Sequence, residues 1–151
     1  MTRTPEEIRP ADIRRAAMDY LARREHSRRE LLEKLKARFD AGPELIQQEV
    51  DRLREEGLQS DARLAEALVQ ARVNRGQGPL KIRAELRGKG VDDDVIEVAL
   101  DECMVDWTEL VAEVARKRFG DRPPADAKAR AKRIRFLQQR GFSFDHINTL
   151  N

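Results

Sequence analysis

Apolar residues recur along this chain at intervals of three and four, and period-two alternation is nowhere sustained. The pattern predicts helices throughout and no sheet. Ile13, Ala16, Ala17, Tyr20 and Leu21 share one face of a first helix. Ser27-Arg-Arg-Glu30 is a capping-box pattern, in which the serine oxygen takes an orphan backbone N–H and the glutamate reaches back to the cap. It opens a second helix with Leu31, Leu35 and Phe39 on one side. Asp40-Ala-Gly-Pro43 interrupts the chain, and proline is tolerated at the first position of the helix that follows. That third helix is expected to bury Leu45, Ile46, Val50 and Leu53. Gly57-Leu58 ends it, with a left-handed glycine and a leucine folded back on the last turn.

The same order of signals then repeats. A helix from Asp61 to Arg75 carries Leu64, Ala65, Leu68 and Arg72 in register and stops at Gly76. Gly78-Pro79 starts a short helix through Ile82 and Leu86, closed by Gly90-Val91. Asp92-Asp93-Asp94 caps the next, where acids suit the positive end of the helix dipole, and Val95, Ile96, Ala99, Leu100 and Cys103 form its apolar face. In a third round Trp107, Leu110, Val111, Val114 and Phe119 lead to Gly120, and Pro123-Pro124 marks a linker. A basic helix runs from about Asp126 to Arg140 and ends at Gly141-Phe142. Ser143 caps a last short helix bearing Phe144, Ile147 and Leu150.

Spacing identifies these rounds as copies. Leu35, Leu86 and Leu137 are 51 residues apart at each step, as are Gly90 and Gly141, while Ile46, Ile96 and Ile147 are separated by 50 and 51. A period near 50 with three helices in each signals a tandem array in which a unit buries part of its stripe against its neighbour. The expected fold is all-α: an elongated, curved array of three tandem three-helix repeats. A tail over 1–10 precedes repeats over 11–57, 58–105 and 106–151.

Composition narrows the class. Of 151 residues, 38% are charged and 5% aromatic, a lean core under a charged surface. A single cysteine, Cys103, leaves no intrachain disulfide framework, which suits a reducing cytosol. No apolar run approaches the roughly 18 residues that cross a bilayer, and the first residues lack a signal-type apolar stretch, so a cytoplasmic protein is expected. The formal charge of +2 hides a strong segregation. Residues 1–57 are neutral, 58–90 carry +4, 91–109 carry −8 and 110–151 carry +6. Such blocks are commonly solvated faces, and they also favour polyanionic or charged protein partners.

Convergent reactive groups are scarce. His26 and His146 each stand at a helix boundary beside a serine, and Cys103 lies on an apolar face as a small hydrophobe. Gly76-Gln-Gly78 lacks the strand and the Lys-Ser/Thr of a phosphate loop. No enzyme activity, cofactor or metal is expected. The basic residues point elsewhere. Arg72 and Arg75 close one helix, and Lys81, Arg83, Arg87 and Lys89 lie on the next, with Arg83 and Arg87 on a flank away from Ile82 and Leu86. Lys132, Arg133, Arg135 and Arg140 repeat the arrangement one unit later. Neighbouring basic stripes of this kind neutralise phosphates with salt-dependent, sequence-independent affinity. Phe136 is the one aromatic on the two stripes apart from Phe142 of the helix cap, fewer than a dedicated single-strand binder uses.

Several stretches resemble the RecX regulatory family. They are Tyr20-Leu-Ala-Arg-Arg-Glu-His-Ser27 with Leu31 and Leu35, then Arg52-Leu-x-Glu-Glu-Gly-Leu58. Arg72-x-x-Arg-Gly-x-Gly-Pro-x-x-Ile-Arg-x-Glu-Leu-x-x-Lys-Gly90 is similar to that family's most specific signature, and Asp106-Trp107 and Lys132-x-x-x-Phe-Leu-x-x-Arg-Gly-Phe142 to its third repeat. The chain departs from the pattern at Gln77 and Leu64, where aromatics are usual, and at Arg38-Phe39-Asp-Ala-Gly42, which replaces an Arg-Gly-Phe-type turn. The resemblance implies a modulator of the RecA recombinase. Such a protein lies in the groove of the RecA filament on single-stranded DNA and lowers its ATPase, strand-exchange and co-protease activities, damping the DNA-damage response. The expected partners are therefore the RecA filament and, weakly and salt-dependently, single-stranded DNA, with no membrane and a monomeric free protein. The acidic helix around Asp92–Glu102 is a candidate to face basic RecA surface. The alternative is a stand-alone DNA-binding helical module, because three-helix units also resemble helix-turn-helix readers.

Overall fold

A computed structural model describes residues 8–150. The described residues form nine helices and no strand: α1 (Pro10–Arg23), α2 (Arg28–Arg38), α3 (Pro43–Glu55), α4 (Asp61–Asn74), α5 (Pro79–Gly88), α6 (Asp93–Glu102), α7 (Trp107–Phe119), α8 (Ala127–Gln139) and α9 (Phe144–Asn148). They pack three by three into successive units, the arrangement the 50-residue period predicts. Residues 1–7 of the expected tail lie outside the described residues, and Ile8, at its end, is already buried in the first core.

Local chemistry starts and stops the helices. The Ser27 hydroxyl accepts from the Glu30 N–H at 3.0 Å, and the Glu30 carboxylate accepts from the Ser27 N–H at 3.1 Å. Ser60, Asp106, Asp126 and Ser143 cap α4, α7, α8 and α9 in the same way, each accepting from the backbone three residues on. Asp92 departs from expectation. It occupies the N-cap position of α6, but its side chain accepts no capping hydrogen bond, which leaves it to act there through the helix dipole.

Each unit has its own core. Ile13, Leu31, Leu35, Ile46, Val50 and Leu53 fill the first, and Leu64, Leu68, Ile82, Leu86, Ile96 and Leu100 the second. The third is sparser, with Val111, Leu137, Phe142 and Ile147 buried, and Trp107 packs against both it and the second core. The post-glycine residues differ from one another. The N–H groups of Leu58, Val91 and Phe142 all return to a helix carbonyl five residues back, at 2.9, 3.1 and 3.2 Å. Val91 and Phe142 are then buried to 4% and 1% exposure, but Leu58 stays 40% exposed. After Gly57 it is Gln59 that turns inward, donating to the His26 carbonyl and to Asp61 Oδ1. Phe144 and Leu150 of the expected last apolar face are likewise exposed, leaving Ile147 as its buried member.

The units join through the ends of their second helices. At the start of α2 the Ser27 hydroxyl donates to the Lys89 carbonyl at 2.6 Å, and Arg29 donates to the Gly88 carbonyl, both at the end of α5. At the start of α5 the Gly78 N–H donates to the Arg140 carbonyl at 2.7 Å and the Leu80 N–H to the Gly141 carbonyl at 3.0 Å, just past the end of α8. At the second of these junctions backbone donors left unpaired at a helix start satisfy carbonyls at another helix end, whereas at the first the donors are side chains. The accessible area, 9803 Å², stands well above the roughly 7,900 Å² of a compact monomer of this mass.

Candidate functional site

The ten basic residues singled out by spacing divide into two groups. In unit two most are already paired. Arg72 holds Glu85 through two hydrogen bonds of 2.8 and 2.7 Å, and Arg83 holds Glu97 at 2.6 and 3.2 Å. Arg87 reaches Asp93 at 2.7 Å, and Lys89 reaches Glu30 of unit one at 3.1 Å. Arg83 and Arg87 do point away from the core, as their spacing requires, but the flank they occupy faces α6. The acidic helix consumes that stripe. The Arg72 hydrogen bonds hold the Glu85 carboxyl below the ordinary carboxylate value, and those from Arg83 do the same for Glu97. Arg75 and Lys81 are the two cations of this unit's stripe with exposed side chains and no ion pair among the described residues.

Unit three is different. Lys132 and Arg135 are exposed on α8, and no described carboxylate reaches them. Arg133 donates to the Arg122 carbonyl at 2.9 Å and lies over the Phe119 ring at 5.0 Å. Arg140 donates to the Arg75 carbonyl at 3.0 Å and lies over Phe136 at 5.3 Å, the distance at which Arg118 of α7 also meets that ring. Phe119 and Phe136 meet edge to face at 5.4 Å. A guanidinium over an aromatic face keeps its charge and its outward N–H donors, so these contacts orient the arginines without neutralising them.

Two grooves result. One, of about 560 Å³, crosses the boundary between units two and three and is lined by Arg75, Arg118, Arg140, Phe136 and Lys117, the last paired with Glu113 at 3.2 Å. The other, of about 470 Å³, lies between α7 and α8 beside Arg116, Arg122, Arg130, Arg133 and Phe119. Arg116, Arg118, Arg122, Arg130 and the pairing of Phe119 with Phe136 were not anticipated. The run Arg116-Lys-Arg118 is plain in the sequence, but it reads there as a basic helix end. Only the packing of α7 on α8 turns it toward Phe136.

His26, expected as a boundary imidazole, is 1% exposed. Its Nδ1 lies 3.0 Å from the Arg24 carbonyl and its Nε2 2.9 Å from Lys34 Nζ. That geometry suits a neutral ring, donating through Nδ1 and accepting the lysine proton at Nε2. Among the described residues no cluster of His, Cys, Asp or Glu is placed to hold a metal ion, and no helix is long and apolar enough to cross a membrane.

Fold and charged grooves together define the class, a tandem three-helix-repeat protein whose third repeat carries exposed cations, Lys132 and Arg135, without ion-pair partners among the described residues. The descriptions "RecX, first three-helix domain", "RecX, second three-helix domain" and "RecX, third three-helix domain" match residues 14–53, 60–100 and 105–150. A Regulatory protein RecX of Pseudomonas fluorescens is 49% identical over 91% of this chain and 88% of its own length, and that of Pseudomonas syringae pv. tomato is 48% identical over 93% and 90%. The crystal structure of RecX from Lactobacillus salivarius superposes with a TM-score of 0.76 at 27% identity, covering 93% of this chain and 92% of that one. A second solved regulatory protein RecX gives 0.79 at 26% identity over 93% of this chain and 71% of the other. The chain belongs to the RecX family of regulatory proteins.

Proposed function

We propose that this protein is a non-catalytic regulator that binds the RecA filament on single-stranded DNA and lowers its ATPase, strand-exchange and co-protease activities. In that role it moderates recombinational repair and the SOS response in the cytoplasm, acting as a monomer and without a cofactor. Family membership supports the regulatory role. The observation that carries the nucleic-acid part is the set of unpaired cations Arg75, Arg118 and Arg140 around the half-buried Phe136 at the last junction, with Lys132 and Arg135 exposed and unpaired on α8. Guanidiniums held by stacking and backbone bonds meet phosphates with little ordering cost, and one half-buried aromatic is too little for sequence readout.

The test is RecA ATPase on single-stranded DNA, comparing wild type with an Arg118/Lys132/Arg135 alanine variant. Wild type is expected to slow turnover and the variant to do so only at higher concentration. An unchanged rate with wild type in several-fold excess would sink the reading.

The exposed row Lys128, Lys132 and Arg135 on α8 also suits a stand-alone DNA-binding module. That reading predicts tight duplex binding without RecA and discrimination among sequences. Weak binding with a steep salt dependence and no sequence preference counts against it.

A further inference from the structure

We propose that the groove between α4 and α6 is a protein-docking surface for a cationic segment that presents one apolar side chain between lysines or arginines. The inference rests on the RecA reading above and assigns the protein contact to unit two, apart from the cations of unit three. The groove measures about 230 Å³ and has a floor of Ala62, Val95 and Val98, with Glu66, Asp94 and Glu102 at its rim.

Two independent features coincide there. Val98 is 53% exposed in the middle of α6, on a helix that buries Ile96 and Leu100 in the core. An exposed apolar floor in a concave site offers a partner's side chain a place to bury. The rim carboxylates are also unspent. Asp93, Glu97 and Glu85 in the same unit are taken by Arg87, Arg83 and Arg72, but Glu66, Asp94 and Glu102 have no ion-pair partner among the described residues. No basic residue lines the groove, and none occurs between residues 91 and 109. The structure has used its arginines on the α5 side of α6 and left the α4 side negative.

An apolar anchor flanked by cations satisfies both features. The anchor covers Val98, and the cations meet carboxylates in a site that closes to water on docking. The chain's own basic helix α8 is a poor occupant, because it displays no exposed large hydrophobic.

The experiment uses full-length protein with Glu66→Lys/Glu102→Lys together, and separately Val98→Ser. All three side chains are exposed, and circular dichroism melts are expected to match wild type. The double variant should need about tenfold more protein to half-inhibit RecA ATPase on single-stranded DNA, and Val98→Ser about threefold more. Affinity for single-stranded DNA alone, read by fluorescence anisotropy, should be undiminished in both. If wild type inhibits and both variants inhibit equally well, the docking inference falls while the RecA reading stands. If wild type itself does not inhibit, both fall. Sedimentation showing that wild type self-associates and the double variant does not, with inhibition retained, assigns the groove to a second copy and overturns the proposal.

Discussion

A β-carbon on Gly78 would lie 2.5 Å from the carbonyl of Gly141, so the backbones of units two and three touch with no room for a side chain between them. This approach is what lets the Gly78 N–H reach the Arg140 carbonyl and the Leu80 N–H reach that of Gly141. Gly141 is constrained twice, by φ of +97° and by Lys81, whose β-carbon would stand 2.4 Å from a new one. Gly78→Ala and Gly141→Ala are each expected to cost about 2–3 kcal/mol in urea unfolding. Gly88 has open space and ordinary helical geometry, so Gly88→Ala should stabilise by about 0.4–1 kcal/mol. The same sign at all three positions would contradict the close-approach account.

Glu30 ties the first helix cap to the second unit. Burial opposes its ionisation, but hydrogen bonds from Arg24, the Ser27 N–H and Lys89 outweigh it and hold the carboxyl at about 2, against 4.5 for a free side chain. A depressed carboxyl contributes stability that is complete above about pH 4.5 and is lost as pH falls toward 2. Glu30→Gln should therefore lower stability at pH 7 by about 2 kcal/mol and flatten the acid limb of the urea-midpoint profile. A variant whose acid limb matches wild type would show that the junction does not depend on this charge.

His26 is held neutral, chiefly by burial and further by the charges of Arg24 and Lys34, against the opposing Arg24 carbonyl bond and Glu30. Its affinity for a proton is lower folded than unfolded, so its contribution is complete above pH 6.5 and declines as pH falls below that value. Imidazole NMR resonances should report His26 titrating at lower pH than a free histidine side chain. The Lys34→Met variant should titrate at higher pH than wild type, because a neighbouring cation is gone.

Arg72 and Arg75 sit three residues apart and have different roles. The half-buried Arg72–Glu85 pair should show a coupling of about 1 kcal/mol in a double-mutant cycle of urea stability. Arg72→Ala should leave the salt dependence of single-stranded DNA binding unchanged.

The unpaired cations should behave in the opposite way. Lys132→Ala and Arg135→Ala should hardly affect stability. Each should reduce the slope of log affinity against log salt on single-stranded DNA by ~0.7, the loss of one phosphate contact. Arg83→Ala and Arg87→Ala, whose charges are spent on α6, should leave the slope as it is. Equal reductions at all four positions would dissolve the distinction between paired and unpaired stripes.

Much of this architecture is written locally and so was legible in the chain. The Ser27–Glu30 cap, the proline starts at Pro43 and Pro79, the glycine stops and the buried 51-residue series of Leu35, Leu86 and Leu137 depend on neighbours three to five residues away. A stretch of sequence carries such relations whatever the rest of the molecule does. The same spacing rightly set Arg83 and Arg87 opposite Ile82 and Leu86. Whether a cation on that flank meets water or a carboxylate is a separate matter, settled by the helix that packs alongside.

That outcome depends on contacts between residues distant in the chain. Arg83 finds Glu97 fourteen residues away, Lys89 finds Glu30 across a unit boundary, and α7 brings Arg118 onto Phe136. These pairings follow from the angles at which helices pack and from backbone contacts such as Gly78 on Gly141, and no residue spacing encodes those angles. Three helical units and their shared grammar follow from relations between near neighbours along the chain. The fold decided which of their charges remain free to bind, because an ion pair depends on where two side chains meet in space.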